Sequence, residues 1–199
     1  MKLPRRACLL LALIAPLSLP AQEASDSRTR EIEAIVAHPI YAQAYSCSEH
    51  PAGDLPYVGE DLGQDCSILK MVEADGRELT KEYKNDGYRN EDYYGWGQDV
   101  LSPCDCVVTR VLINPITNEP GKLGKPPASI IRLRREDGVM FSMAHISDPL
   151  VKKDQKVKAG QVIAKVGNNG YGRAPHIHIG AWKEKDALQI RWDLKNLKF

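Results

Sequence analysis

Two histidines separated by one residue form the part of this sequence best suited to chemistry. His176 and His178 flank Ile177 in the stretch Ala174–Gly180. Side chains at i and i+2 of a strand point to the same side, so the two imidazoles share a face while Ile177 and Ile179 face a core. Such a pair can bind a metal, or one ring can bind it while the other transfers protons. The plainer alternative is a half-buried strand with two exposed histidines, because short motifs often arise by chance.

The elements that would position these histidines are short strands. Apolar and polar residues alternate over Cys66–Glu73 and Glu78–Tyr83 around the turn at residues 74–77, which predicts a hairpin. Further segments rich in β-branched residues follow, and the chain is therefore predicted to be mainly β. At the N-terminal side, Glu31–Ala37 is predicted to be a short helix that ends before Pro39. The further segments are Val107–Ile113, Ile130–Arg134, Val139–Ala144, Gln161–Val166, His176–Ala181 and Gln189–Trp192.

The start of the chain has the pattern of a secretory signal. Three basic residues (Lys2, Arg5 and Arg6) precede an apolar stretch, Ala7–Leu19, and a small residue, Ala21, follows. The stretch is too short and too interrupted by proline for stable insertion in a membrane. We therefore expect residues 1–21 to be a cleaved signal peptide and the protein to be exported, either periplasmic or secreted.

The charge balance and the cysteine content indicate which functions and which covalent links this protein can have. The 27 Lys and Arg residues nearly balance the 26 Asp and Glu residues, which gives no support for nucleic-acid binding. Four cysteines follow the predicted signal, and an even number in an exported chain predicts two disulfides. Cys47–Cys66 is the easiest local pair. Cys104 and Cys106 either close a small ring or cross-pair with the other two, and a soft-metal site is a third alternative.

Residues 114–128 form a long connection without strand or helix pattern. Loops of this length inside a domain are usually functional or disordered. Its prolines and glycines favour defined turns, so a groove wall, a flexible flap and a tolerated insertion all stay open.

Several further motifs precede the histidine pair in a fixed order. Asp99 lies in Gly97–Pro103, just before a predicted strand, and His145 lies in Ser142–Ile146. A turn-rich segment, Lys158–Gly170, follows. In this order and spacing, the region from about Gly95 to Trp182 resembles the lysostaphin/LytM-type zinc metalloendopeptidases. The His-Ile-His element is similar to that family's His-Leu-His, and the Ala144–Ile146 segment to its Tyr-Ala-His-Leu.

The resemblance implies a fold and a domain organisation. The fold would be an antiparallel β-sheet or barrel-sandwich of the duplicated hybrid motif type with a groove. It would follow a short helical, partly irregular N-terminal extension over residues 22–65 and occupy residues 66–199, with the core motifs within 95–182.

The resemblance also implies a site. One zinc ion would be bound by Asp99 and His178, while His145 and His176 would handle protons and the developing oxyanion. Zinc lowers the pKa of its bound water and polarises the scissile carbonyl, and neutral histidines exchange protons near pH 7. A catalytic zinc needs about three protein ligands and one open position.

One position departs from the family pattern. The family has its first histidine ligand four residues before the aspartate, where this chain has Gly95. Asp92 is the first candidate for a substitute ligand, His50 the second and His38 a poorer third. The other alternative is that no third ligand exists and the domain binds cell wall without cutting it.

The predicted function is zinc-dependent hydrolysis of peptide bonds in peptidoglycan cross-links or stem peptides by a monomer. The alternative is a non-catalytic module that binds cell wall or regulates a partner wall hydrolase. Four residues are candidates for the substrate groove: Tyr93, Tyr94, Trp96 and Asn169.

Overall fold

The structure is a computed structural model that describes residues 32–53 and 57–196. It confirms the mainly β prediction. The strands are β1 (Ala34–Ala37), β2 (Tyr45–Glu49), β3 (Gln64–Ile68), β4 (Lys70–Ala74), β5 (Arg77–Lys81), β6 (Asp99–Leu101), β7 (Cys106–Leu112), β8 (Ile130–Arg135), β9 (Met140–Ala144), β10 (Ile146–Ser147), β11 (Lys156–Val157), β12 (Val162–Val166), β13 (Ile177–Lys183) and β14 (Asp186–Trp192). Single 3₁₀ turns lie at Asn90–Asp92 and Leu194–Asn196.

One large sheet carries most of these strands in the order β1-β14-β13-β9-β8-β7-β11, with β3 and β2 added beside β13. Its inner face is apolar, as the alternation of side chains along each strand requires. Phe141, Met143, Ile177 and Ile179 are fully buried there, so the prediction that the two isoleucines beside the histidines face a core is confirmed. Smaller sheets are formed by β10-β12-β6 and by the hairpin β4-β5.

The predicted N-terminal helix is wrong over the part of it that the structure describes. Ala34–Ala37 is a strand, β1, which pairs in parallel with β14. Ile35 and Ala37 are buried while Val36 is exposed, which is a period of two rather than a helical period. The hydrogen bonds offered by the edge of β14 favour the extended form, because an isolated turn of helix is unstable in water.

The segment before residue 66 joins the large sheet directly. β2 pairs with β3, and β3 pairs with β13. The boundary expected between residues 65 and 66 therefore falls inside β3. The predicted signal peptide lies outside the described residues and stays a prediction. Within the described part of the chain, no helix is long and apolar enough to cross a membrane.

Both disulfides join cysteines that are close in sequence. Cys47 bonds to Cys66 across β2 and β3, and Cys104 bonds to Cys106. This pairing answers the question that the sequence left open and indicates an oxidising compartment.

The long connection at residues 114–128 is fastened to the turn that precedes β13. The Asn118 backbone N–H donates to the Asn168 carbonyl at 2.7 Å, and its side-chain amide donates to the carbonyls of Gly170 and Gly172 at 3.0 and 3.1 Å. These bonds make the connection a fixed wall beside the turn that leads to the histidine strand.

Candidate metal and proton-transfer site

The strand register brings the first part of the site together. In β13, His178 lies opposite Asp65 of β3 on one side and opposite Ala144 of β9 on the other. His145 follows Ala144 directly and has a positive φ of 64°, which turns the chain at the end of β9. Residues far apart in sequence thus become neighbours because β13 is paired on both edges.

Asp65 is the centre of a group of histidines. Its Oδ1 accepts a hydrogen bond from His178 Nδ1 at 2.9 Å and lies 3.5 Å from His176 Nε2. Its Oδ2 lies 3.4 Å from His50 Nε2. His50, Asp65 and His178 each offer a ligand atom, and these atoms lie within 4.8 Å of one another. Among the described residues this is the group of His, Cys, Asp and Glu side chains whose geometry suits a metal; we call it the His50–Asp65–His178 cluster.

The pKa values in and beside the cluster are set by the competition between burial and the pairing of opposite charges. Burial alone would raise the pKa of Asp65, but hydrogen bonds from His176 and His178 outweigh it and hold that pKa well below its usual range. For His178, burial is outweighed by the carboxylates of Asp65 and Glu60, which raise its pKa to about 9. Burial would likewise raise the pKa of Glu60, yet the neighbouring His178 lowers it.

His145 and His176 form a second pair beside the cluster, with ring centroids 4.5 Å apart. His145 Nδ1 donates to the Asn169 carbonyl at 2.6 Å, and His176 Nδ1 donates to the Ala174 carbonyl at 2.7 Å. Because a carbonyl can only accept, each Nδ1 carries the proton and each Nε2 is left to exchange one. Burial and the neighbouring His176 lower the pKa of His145 to about 4, which keeps it neutral near pH 7.

Asp99 and Asp92 have other partners in the structure. Asp99 is on β6 in the three-stranded sheet, and its Oδ1 lies 2.7 Å from Lys165 Nζ. The buried Asp92 accepts hydrogen bonds from Asn85 Nδ2 at 2.7 Å and from the Arg89 backbone at 3.2 Å. Neither belongs to the cluster, so the structure gathers His145, His176 and His178 but not these two carboxylates. His38, the poorest substitute candidate, donates from Nδ1 to the Pro39 carbonyl instead.

Three of the candidate groove residues, Tyr93, Tyr94 and Trp96, lie on one segment and contact neighbouring residues of the protein. The Tyr93 ring packs against that of Tyr83 in a tilted arrangement with centroids 5.3 Å apart, and the centre of the Tyr94 ring lies 4.9 Å from Lys70 Nζ. These contacts tie both tyrosines to the β4-β5 side of the molecule. Trp96 is half-buried on the same segment, where its backbone N–H donates to the Tyr93 carbonyl at 3.2 Å.

Asn169 is built into the site rather than presented to a substrate. Its side chain is buried, accepting from Ser129 N–H at 2.7 Å and donating to the Ile146 carbonyl at 2.9 Å. Its own carbonyl holds His145. Its role in the structure is therefore to fix the position of that histidine.

Sequence reasoning ranked His50 second among the substitute ligands and missed Asp65 and Glu60. One signal could have found Asp65. A Cys47–Cys66 pairing in an antiparallel register places Asp65 opposite Ser48, two residues before His50. The disulfide that the sequence favoured thus brings a carboxylate and a histidine to the same end of one hairpin.

Comparison with known proteins identifies similar sequences and structures. The family model described as Peptidase family M23 matches residues 93–190. A comparison with curated proteins finds no significant match.

Three solved structures are similar to this chain. A point mutant of the catalytic domain of the prophage-encoded M23 protein EnpA from Enterococcus faecalis is 19% identical, with a TM-score of 0.46 over 74% of this chain and 87% of that one. The SpoIIQ–SpoIIIAH pore-forming complex contains a chain that is 19% identical, with a TM-score of 0.48 over 79% and 89%. The catalytic domain of lysostaphin from Staphylococcus simulans is 20% identical, with a TM-score of 0.43 over 73% and 86%.

Proposed function

We propose that this chain, whose residues 93–190 match the model of peptidase family M23, is a zinc-dependent endopeptidase acting on the peptide part of peptidoglycan. The observation that carries the proposal is the convergence of His50, Asp65 and His178 beside His145 and His176. In this proposal the first three residues hold the ion and the last two handle protons.

The donor set of the cluster fits zinc. Two imidazole nitrogens and one carboxylate oxygen are ligands that zinc accepts, and three protein ligands are the number typical of catalytic sites. The positions implied by the family spacing fit less well, since Gly95 has no side chain and Asp99 forms an ion pair with Lys165 at 2.7 Å. The proposal therefore assigns the ligands to His50 and Asp65 in place of Asp99 and Asp92.

The bound zinc would polarise the scissile carbonyl and lower the pKa of a coordinated water. The histidines of this chain supply the rest. His145 is neutral near pH 7 and has Nε2 available, so it can accept a proton from the attacking water. His176 is held by the Ala174 carbonyl with Nε2 turned toward Asp65, and in its doubly protonated form that nitrogen can donate a hydrogen bond to developing negative charge on the substrate.

The substrate class and the location follow from coarser observations. The match of residues 93–190 to peptidase family M23 favours a peptide bond, and peptidoglycan peptide is the substrate we propose. The two disulfides favour an exported protein in the periplasm or outside the cell, where that substrate lies.

The test is hydrolysis of purified peptidoglycan by the zinc-loaded protein, followed by mass spectrometry of the released peptides. We expect soluble peptides with new amino termini from the wild type. Asp65→Asn and His145→Ala should abolish release, whereas the control Asp99→Asn should retain it because Asp99 pairs with Lys165 outside the cluster. Loss of activity in Asp99→Asn together with full activity in Asp65→Asn would overturn this assignment.

The ion pair at Asp99 and the glycine at position 95 favour a second function, in which the domain binds cell wall or regulates a wall hydrolase without cutting. This candidate predicts that the zinc-loaded protein sediments with peptidoglycan and releases no peptide. Release that depends on Asp65 excludes it.

A further inference from the structure

Residues 57–63, which lie shortly before Asp65, pack tightly on β13. A side chain at Gly180 would overlap the Gly59 carbonyl oxygen, and a Cβ at Gly63 would lie 2.6 Å from His178 Cε1. Both positions need glycine because backbone passes directly over the strand there. Residues 57–63 are therefore placed against the strand that carries His178.

This segment presents one carboxylate to the cluster. The Glu60 N–H donates to the Tyr57 carbonyl at 2.8 Å, and the Glu60 carbonyl accepts from Gly63 N–H at 3.0 Å, which makes a compact turn. From that turn, Glu60 Oε2 reaches to 3.0 Å from His178 Nε2. His178 Nε2 is buried and has no other hydrogen-bond partner among the described residues, so its polar contact is this one with the Glu60 carboxylate.

The two nitrogens of His178 therefore face different carboxylates. Nδ1 faces Asp65 Oδ1 at 2.9 Å and so lies on the side of the His50–Asp65–His178 cluster. A nitrogen that binds a metal carries no proton, and the other ring nitrogen of a neutral imidazole then carries it. Metal-binding histidines generally donate that remaining N–H to a carboxylate, carbonyl or water, which fixes the tautomer and the ring orientation.

We propose that Glu60 is the positioning residue for His178: its carboxylate receives the Nε2–H and keeps Nδ1 turned toward Asp65 and His50. This inference rests on the metal site in the proposed function. As a simple ion pair Glu60 would contribute little to stability, since its side chain is 41% exposed. Its contribution lies in the orientation and basicity of a metal ligand.

The experiment measures zinc affinity by competition with a chromophoric chelator in the full protein, for the wild type, Glu60→Gln and Glu60→Ala. Loss of an outer partner typically weakens metal binding about 10–100-fold. We expect Glu60→Ala to fall in this range and Glu60→Gln to be weakened less, because an amide oxygen still accepts a hydrogen bond. Asp61→Asn is the matched control in the same turn, and should leave zinc affinity unchanged because Asp61 accepts from Gly53 N–H.

A second readout distinguishes positioning from a general structural role. In ¹⁵N-edited NMR of the zinc-loaded protein, His178 should be protonated at Nε2 in the wild type, and its Nε2–H should exchange faster in Glu60→Ala. Melting curves of the metal-free variants verify that they fold.

Two results would overturn the inference while leaving the proposed function intact. Either wild-type zinc affinity and an unchanged Nε2–H signal persist in both Glu60 variants, or zinc binding is lost completely in Glu60→Gln, which makes Glu60 a direct ligand. A wild-type protein that binds no zinc contradicts the proposed function itself.

Discussion

The pH dependence of the metal-free protein provides a quantitative test of the charge arrangement around His178. The carboxylates of Asp65 and Glu60 raise the pKa of His178 from 6.5 to about 9. A group whose pKa is raised on folding stabilises the native state below its unfolded pKa, and that stabilisation is lost as pH rises through the folded value. The contribution of His178 to the free energy of unfolding should therefore be at its full size below pH 6.5 and should be lost as the pH rises to about 9.

The size of the loss in unfolding free energy follows from the pKa shift of His178. Each pKa unit corresponds to about 1.4 kcal/mol, so this shift gives about 3 kcal/mol as an upper bound. Asp65 and Glu60 are 36% and 41% exposed, and solvent screening lowers the figure. We expect the free energy of unfolding to fall by about 1–3 kcal/mol between pH 6.5 and 9.

The assay is urea unfolding of the protein in a chelator at several pH values, with His178→Asn as control. His145 does not interfere, because its pKa is lowered to about 4 and its contribution changes below pH 6.5. A wild type whose stability is constant from pH 6.5 to 9, or a His178→Asn variant with the same decline, would refute the reasoning.

Three further variants test the surroundings of the site. Gly63→Ala places a Cβ 2.6 Å from His178 Cε1 and should cost about 1–3 kcal/mol in urea unfolding; an unchanged midpoint would contradict the close packing. Asn118→Ala removes the side-chain bonds to Gly170 and Gly172, so limited proteolysis within residues 114–128 should accelerate, and an unchanged cleavage rate would contradict the fixed wall. Replacing Cys47 and Cys66 together by alanine should lower stability by about 2–4 kcal/mol; a loss below about 1 kcal/mol would show that this bond does not hold β2 to β3.

Most strands could be predicted because alternation along a strand is a local property. The pattern at Val139–Ala144 and His176–Ala181 matches β9 and β13 closely. The resemblance to lysostaphin/LytM-type peptidases predicted the fold, and it pointed to His145 and His176, which the structure places side by side. The helix predicted near residues 31–37 is wrong where the structure describes it, because Ala34–Ala37 forms a strand instead. That strand depends on pairing with β14, at the other end of the chain.

The ligand assignment depended on information that the sequence does not express locally. The spacing motif predicts Asp99 as a ligand, and in the structure Asp99 pairs with Lys165, which lies opposite it in the strand register. Asp65 becomes the neighbour of His178 only through the pairing of β3 with β13, 113 residues apart. Such long-range register is set by the whole sheet, so no short motif could report it.

The central claim is that His50, Asp65 and His178 bind zinc. Its most direct test is the zinc stoichiometry and dissociation constant of the purified protein, measured by calorimetry for the wild type, Asp65→Asn and Asp99→Asn. The account predicts one zinc per chain in the wild type and in Asp99→Asn, and a loss of affinity beyond the roughly 100-fold expected of an outer partner in Asp65→Asn. Zinc binding that survives Asp65→Asn but is lost in Asp99→Asn, or a wild type that binds none, would contradict it.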